Sequence, residues 1–476
     1  MKKTIKNRVK KVSIFLIVAT ILIGSIFNFS ITEARDLRTK QKSDQVNIVG
    51  TTYSIHSDNF DGTSKNKYFI KTADKNYYEL KLDKGTEFPE SKEVIVKGSL
   101  NEGILKVNSY EINTRGSIRV GQRGVPSFES EIRDKDRSTL GPQRVALVLV
   151  NFPHNQTEPA TKAEVNDFMF NGRVNDSVNS QMTEMSYSKA FLIGNVYGWY
   201  NLPISYENRC NLERIADAAT PLIDKDIDFS KYESILFVFP EDRTCNYGGQ
   251  TRGAPKNFQT NEGSMSLNVM SVNGPNYIKK GTALHELGHS MGLSHANYYQ
   301  CSNQFPEDQC TSIEYNDYYD VMGAFSRSHF NAIHKEKLKW FDSSNIMDNP
   351  SSGIYQIEPI ETSGSGVKAI KIPTQSGFNY TIEYRRPIGF DKEQITIFSN
   401  TVYQADPIFD GALIHIDKKV SKGDTQTIDT TPQNPGTPKL DVVLKKGETY
   451  VDPINGITIK TVDFNDNYLT VEINRI

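Results

Sequence analysis

The stretch 285-HELGHSMGLSH-295 holds three of the chain's eight histidines. In a helix, His285 and His289 stand four residues apart, one turn apart on one face. Two imidazoles so placed can share a cation, and Glu286 sits at the edge of the same site. Gly292 tolerates the left-handed backbone that ends a helix, so the chain can turn and return His295 as a third ligand. Three neutral histidines leave one tetrahedral position for water, the layout of a catalytic rather than a closed structural zinc site. Any one of these histidines alone would read as an ordinary surface or core residue. The joint pattern arises by chance on the order of once per 10^5 chains of this composition. Zn2+ held by His285, His289 and His295, with Glu286 as the catalytic base, is therefore the expectation.

The pattern resembles the extended zinc motif of the metzincin metalloproteases. That resemblance implies a methionine turn beneath the metal, and Met322, in YYDVMG, stands 27 residues after His295. The stretches SYSKAFLIGNVYGWYNLP, YESILFVFP, GTALHELGHSMGLSHA, YDVMG and FNAIHKEKLKW resemble more specifically the gametolysin-like family. The likeness runs over roughly residues 140–345, with weaker echoes beyond. Some metzincins carry a metal-binding tyrosine two residues after the turn methionine; Ala324 stands there, so no such ligand is expected. Asp320 is expected either to buttress a ligand histidine or to serve the turn.

Outward from the motif, the chain reads as multidomain: an α/β metzincin-like catalytic domain, with a mixed sheet plus zinc helix, flanked by an N-terminal small β-domain and a C-terminal β-sandwich. Residues 1–34 combine a basic start, an 18-residue apolar run and small residues before Ala34. That is a signal peptide cleaved near Ala34, or an uncleaved anchor if the run, at the lower edge of what spans a bilayer, stays in place. Residues 35–113 alternate like short strands with DG, KG and NEG turns, suited to a small OB-like barrel and a possible propeptide. Within them DNFDG (58–62) fails the EF-hand spacing and reads as a hairpin turn. Residues 114–142, rich in basic residues, glycine and proline, form a linker open to processing near Arg123–Arg137.

The catalytic domain is expected over 143–346. RVALVLVNF, KAFLIGNVYGWYNL and YESILFVFP read as strands; KAEVNDFMF, SVNSQMTEMSY and NLERIADAATPLIDK read as helices. GSMSLNVMSV (263–272) is expected as the sheet edge just before a zinc helix starting near Tyr277, with Ser264–Met270 holding an extended substrate as an added strand. Residues 350–476 alternate as a β-sandwich. His415 reads there as a polar-face residue, and DFNDN (463–467) as a hairpin tip.

Composition narrows the partners. Removing the leader's six basic and one acidic residues takes the formal charge from −2 to −7. A mildly acidic chain is not built to coat nucleic acid or anionic lipid. Four cysteines in an exported chain imply two disulfides. Three pairings are possible, with Cys301–Cys310 and Cys210–Cys245 expected. A cysteine-switch propeptide is excluded, because the first thiol is Cys210; latency would need another ligand or steric cover. The function expected is a secreted zinc endopeptidase acting on protein or peptide. The alternatives are an inactive zinc-binding surface or adhesion protein, and a zinc hydrolase of non-peptide amides.

Overall fold

The computed structural model describes residues 44–59, 63–83, 86, 88–113, 138–171, 176–279, 281–301, 310–323, 328–392, 409–417, 425–430 and 442–475. The leader, residues 114–137 of the linker and Ala324 lie outside them. The described part is a mostly β, multi-sheet fold with a few helices.

Five N-terminal strands come first: β1 (Asp44–Asp58), β2 (Ser64–Lys71), β3 (Tyr77–Lys81), β4 (Glu93–Asn101) and β5 (Ile104–Ile112). Their pairings close a ring in the order β1-β2-β3-β5-β4-β1, with β3 and β5 parallel. This is the closed five-stranded arrangement of an OB-like barrel. Alternation fills it: Ile48, Ile70, Leu80, Val94, Val96 and Leu105 point inward and are buried.

The next elements are β6 (Gly141–Asn151), α1 (Lys162–Asn166), α2 (Val178–Met185), β7 (Ala190–Asn201), α3 (Leu212–Ile223), β8 (Ser234–Phe239), β9 (Gly249–Arg252), β10 (Lys256–Thr260), β11 (Gly263–Asn273), α4 (Asn276–Lys279) and α5 (Thr282–Ser290). They form a mixed sheet, β9-β11-β8-β6-β7, with β10 beside β11. The apolar run of β6 is explained by parallel neighbours β7 and β8 and by cover on both faces. Val145, Leu147 and Leu149 face a core shared with α2, α5, Met322 and Trp340. Ala146, Val148 and Val150 face the opposite core under α3.

Two expectations are corrected here. β11 is not an edge: β8 flanks one side, β9 and β10 the other. Beyond β11 on that side comes the four-residue β9, which is in turn paired by β1 of the barrel. The zinc helix starts at Thr282, not near Tyr277, because Gly281, at φ 90°, separates it from the short α4.

After His295 the chain leaves this sheet. β12 (Ala296–Cys301) and β13 (Cys310–Ile313) form a hairpin closed by Cys301–Cys310. The second disulfide is Cys210–Cys245. β12 pairs in parallel with Thr425–Ile428, and so enters the C-terminal sheet. That sheet runs on through Gly411–Asp417, Asn379–Tyr384, Ala369–Pro373 and Ile346–Asp348. A second sheet of Gly353–Ile357, Leu469–Arg475, Ile457–Phe464 and Thr449–Asp452 packs on it, burying Ile370, Ile382, Ile414, Ile459, Val471 and Ile473 between them. The residues of DFNDN form the expected turn, with Asn465 N donating to Tyr468 O. Between the two sheet systems, α6 (Ala332–Lys337) follows the segment that carries Met322. Among the described residues no helix is long and apolar enough to cross a membrane.

Candidate metal centre

α5 presents His285 and His289 one turn apart, their ring centroids separated by 4.8 Å. The helix ends at Ser290; Gly292, at φ 91°, makes the left-handed turn, and Leu293 N closes onto the Gly288 carbonyl. That turn returns His295 to within 4.9 Å of His289 and 5.4 Å of His285, centroid to centroid. The three histidines read from the motif therefore meet.

Each ring is fixed from behind. Nδ1 of His285 donates to the Val321 carbonyl at 2.8 Å, Nδ1 of His289 to the Leu293 carbonyl at 2.9 Å, and Nδ1 of His295 to Glu314 Oε1 at 2.8 Å. Bonds of this kind set the tautomer and leave Nε2 for a metal. Met322 lies fully buried beneath, its side chain against Gly288 of α5, and its carbonyl accepts from Ala296 N. Asp320 serves the turn and not a ligand histidine. It accepts from Met322 N and Asn331 N at 2.6 Å each, and from Nδ1 of the non-ligand His334 at 2.8 Å.

Two further groups come from the barrel. Asp58, the last residue of β1, carries its carboxylate into the middle of the cluster. Its Oδ2 is 3.6 Å from His285 Nε2 and 3.7 Å from His289 Nε2, and its Oδ1 is 3.1 Å from His295 Nε2. His56, two residues earlier on the same strand face, puts Nε2 3.0 Å from both Asp58 Oδ1 and His295 Nε2. Its Nδ1 is held by Asn66 Oδ1 at 2.7 Å. His56, Asp58, His289 and His295 form a group able to hold a metal ion. His285 borders it through the contact to Asp58 Oδ2.

Glu286, fully buried, accepts from Thr251 Oγ1 of β9 at 2.5 Å and packs against Gly249, where any Cβ would collide with its carboxylate. His289 Nε2, buried here, makes no hydrogen bond. A buried polar atom without a partner is costly, and a cation among the imidazoles satisfies it. The donor set fits a divalent ion of the zinc type, with neutral nitrogens and a carboxylate.

Proton affinities accord with this for two of the three motif histidines. Burial pushes His285 down to about 4, against the pull of Asp58. Burial and the His56 ring hold His289 well below its ordinary value. Both are neutral, as ligation requires. His295 is driven the other way, up to about 9. Burial lowers it, but Asp58 and Glu314 outweigh burial. Asp58 lies well below the usual carboxylate range; burial raises it, but the His56 and His285 rings prevail. Burial and the adjacent Asp58 carboxylate push Glu286 well above its ordinary value.

Sequence reasoning missed His56, Asp58, Thr251 and Glu314. Of DNFDG, residues 60–62 lie outside the described residues; on either side of them Asp58 pairs with Ser64 and Asn59 N donates to Thr63 O, and Asp58 also enters the metal centre. The one local signal was the His-x-Asp spacing of 56 and 58, which puts both side chains on one face of a strand. No protein-family model matches the chain, and no curated protein matches it.

Proposed function

We propose that the chain is a secreted zinc-dependent endopeptidase of metzincin, gametolysin-like type. The observation that carries this reading is Glu286. A buried carboxylate, aimed by Thr251 Oγ1 beside three histidines whose Nδ1 atoms are all occupied, is what a hydrolytic centre needs and a storage or adhesion site does not. His285, His289 and His295 would hold the zinc. When bound there, the ion supplies Lewis-acid polarisation of a carbonyl and acidifies a water. Glu286 takes the proton of the attacking water and returns it to the leaving amine. The Val321, Leu293 and Glu314 oxygens keep the imidazoles aimed throughout. Peptide is favoured over small amides because β9, which borders Glu286, already pairs an extended strand, Ile55–Asp58 of β1, along its outer side. The two disulfides accord with an exported chain.

The test is hydrolysis of an unfolded protein by the zinc-loaded secreted chain, with and without a chelator, beside Glu286→Ala. The variant is expected to keep its zinc and lose turnover by about 10²-fold or more. A Glu286→Ala chain as active as the wild type would remove the reading.

A further inference from the structure

β1 does more than close the barrel. Its last four residues add to β9 as an antiparallel strand, with Ile55 opposite Arg252, His56 opposite Thr251, Ser57 opposite Gln250 and Asp58 opposite Gly249. This is the geometry by which an extended peptide joins a sheet edge. The ladder runs straight into the metal centre. Thr251, opposite His56, is the residue that hydrogen-bonds Glu286; Gly249, opposite Asp58, is the one packed against it. A peptide lying on this edge and β1 cannot both be there.

What β1 delivers to the centre is a side chain and not a peptide bond. The Asp58 carboxylate stands among the three imidazoles, fully buried. Tyr315 donates its hydroxyl to Oδ1. Beside Asp58, Asn59 N reaches Thr63 O, and Ser64 is tied to Glu314 behind His295. The strand therefore lies on β9 as an extended peptide would and presents an anionic side chain to the imidazoles.

We propose that the N-terminal barrel is a built-in inhibitor, with β1 occupying the peptide-binding edge of β9 and Asp58 closing the metal centre as a barrel-supplied ligand. This rests on the endopeptidase reading for its consequence, latency, but not for its geometry.

The experiment compares intact full-length wild type with Asp58→Ala and the isosteric Asp58→Asn, each loaded with Zn2+ for hydrolysis of an unfolded protein and with Co2+ for its visible spectrum. Gels confirm that the chains stay uncut. If the barrel keeps the competent form below about a tenth of the population, Asp58→Ala hydrolyses about tenfold faster or more. Its Co2+ bands also shift as a carboxylate ligand is lost. Asp58→Asn, which keeps the size of the side chain, should move the same way and so excludes a folding defect. Wild type as active as both variants overturns the proposal, and so do Co2+ bands identical in all three. If none of the three hydrolyses anything while the bands still shift, Asp58 is upheld as the barrel's ligand, and Ile55→Asp added to Asp58→Ala, which loosens β1 from β9, decides the rest: no hydrolysis there either and the endopeptidase reading is the one that fails.

Discussion

The Glu314 carboxylate accepts from His295 Nδ1 through Oε1 and from the Ser64 backbone N–H through Oε2. It is held below its ordinary value although burial would raise it, because the His295 ring and Ser64 favour the anion. Of the three histidines, His295 alone has a carboxylate behind it; the other two rest on backbone carbonyls that cannot be deleted by mutation. His295 also stands on the loop after the helix, so its ring depends most on a partner. Glu314→Ala is therefore expected to weaken zinc binding by about 10- to 100-fold, the usual cost of removing a ligand's hydrogen-bond partner. Competition with a chromophoric chelator measures it. An unchanged affinity would mean that the turn at Gly292 alone aims the ring.

At the scale of elements, α5 depends on a close approach from below. A Cβ on Gly288 would meet Met322 Sδ and Phe330 in a fully buried site. In a solvated helix, glycine to alanine gains about 1 kcal/mol. Here overpacking costs about 1–3 kcal/mol, so Gly288→Ala should destabilise the chain or at best break even, where propensity alone demands a gain. A denaturant midpoint that rises would show that the Met322 side chain moves aside freely. This contact also shows why α5 was legible from sequence and β9 was not. His285, His289, Gly292 and His295 encode their geometry locally, within one helix and one turn. β9, Gly249–Arg252, is four residues without apolar alternation. It is a strand because β11 and β1 pair with it from either side, a tertiary cause that no local pattern records. β11, with its longer apolar stretch, drew the reading of a sheet edge, but it is paired on both sides. Asp58 was illegible for the same reason: its turn is local, but its carboxylate meets His295 across 237 residues of chain.

Over the whole molecule, two joints place the site. On the barrel side, Tyr53, Ile55 and Phe69 sink into the core under α3, each large buried side chain worth about 1.5–3 kcal/mol. Lys71 and Tyr77 also bond Asp217 of α3. A cut between the barrel and the sheet of β6–β11 would thus leave the barrel seated until something displaces it. On the other side, the C-terminal sandwich holds the segment that carries Met322. His415, expected on a polar face, is instead fully buried, its Nε2 2.9 Å from Asp317 Oδ2. The alternation put it on the right strand; what lies opposite, the loop that carries Asp317, was not in the pattern. Burial lowers the proton affinity of His415, but Asp317 and Glu383 outweigh burial and hold it above 6.5. Asp317 is correspondingly held below 3.8 against its own burial, by the His415 ring. A histidine raised in the folded state contributes stability that is fully present below its unfolded value and is lost as pH rises through the folded one. In zinc-loaded protein the stability that His415 adds should therefore be largest below about pH 6.5 and shrink as pH rises above it. His415→Asn should melt lower than wild type at acid pH, and the two should converge as pH rises and the wild-type ring loses its charge. A gap that stays constant as pH rises would mean that the pair is held by packing, and that the joint between sandwich and Met322 segment carries no proton-linked part.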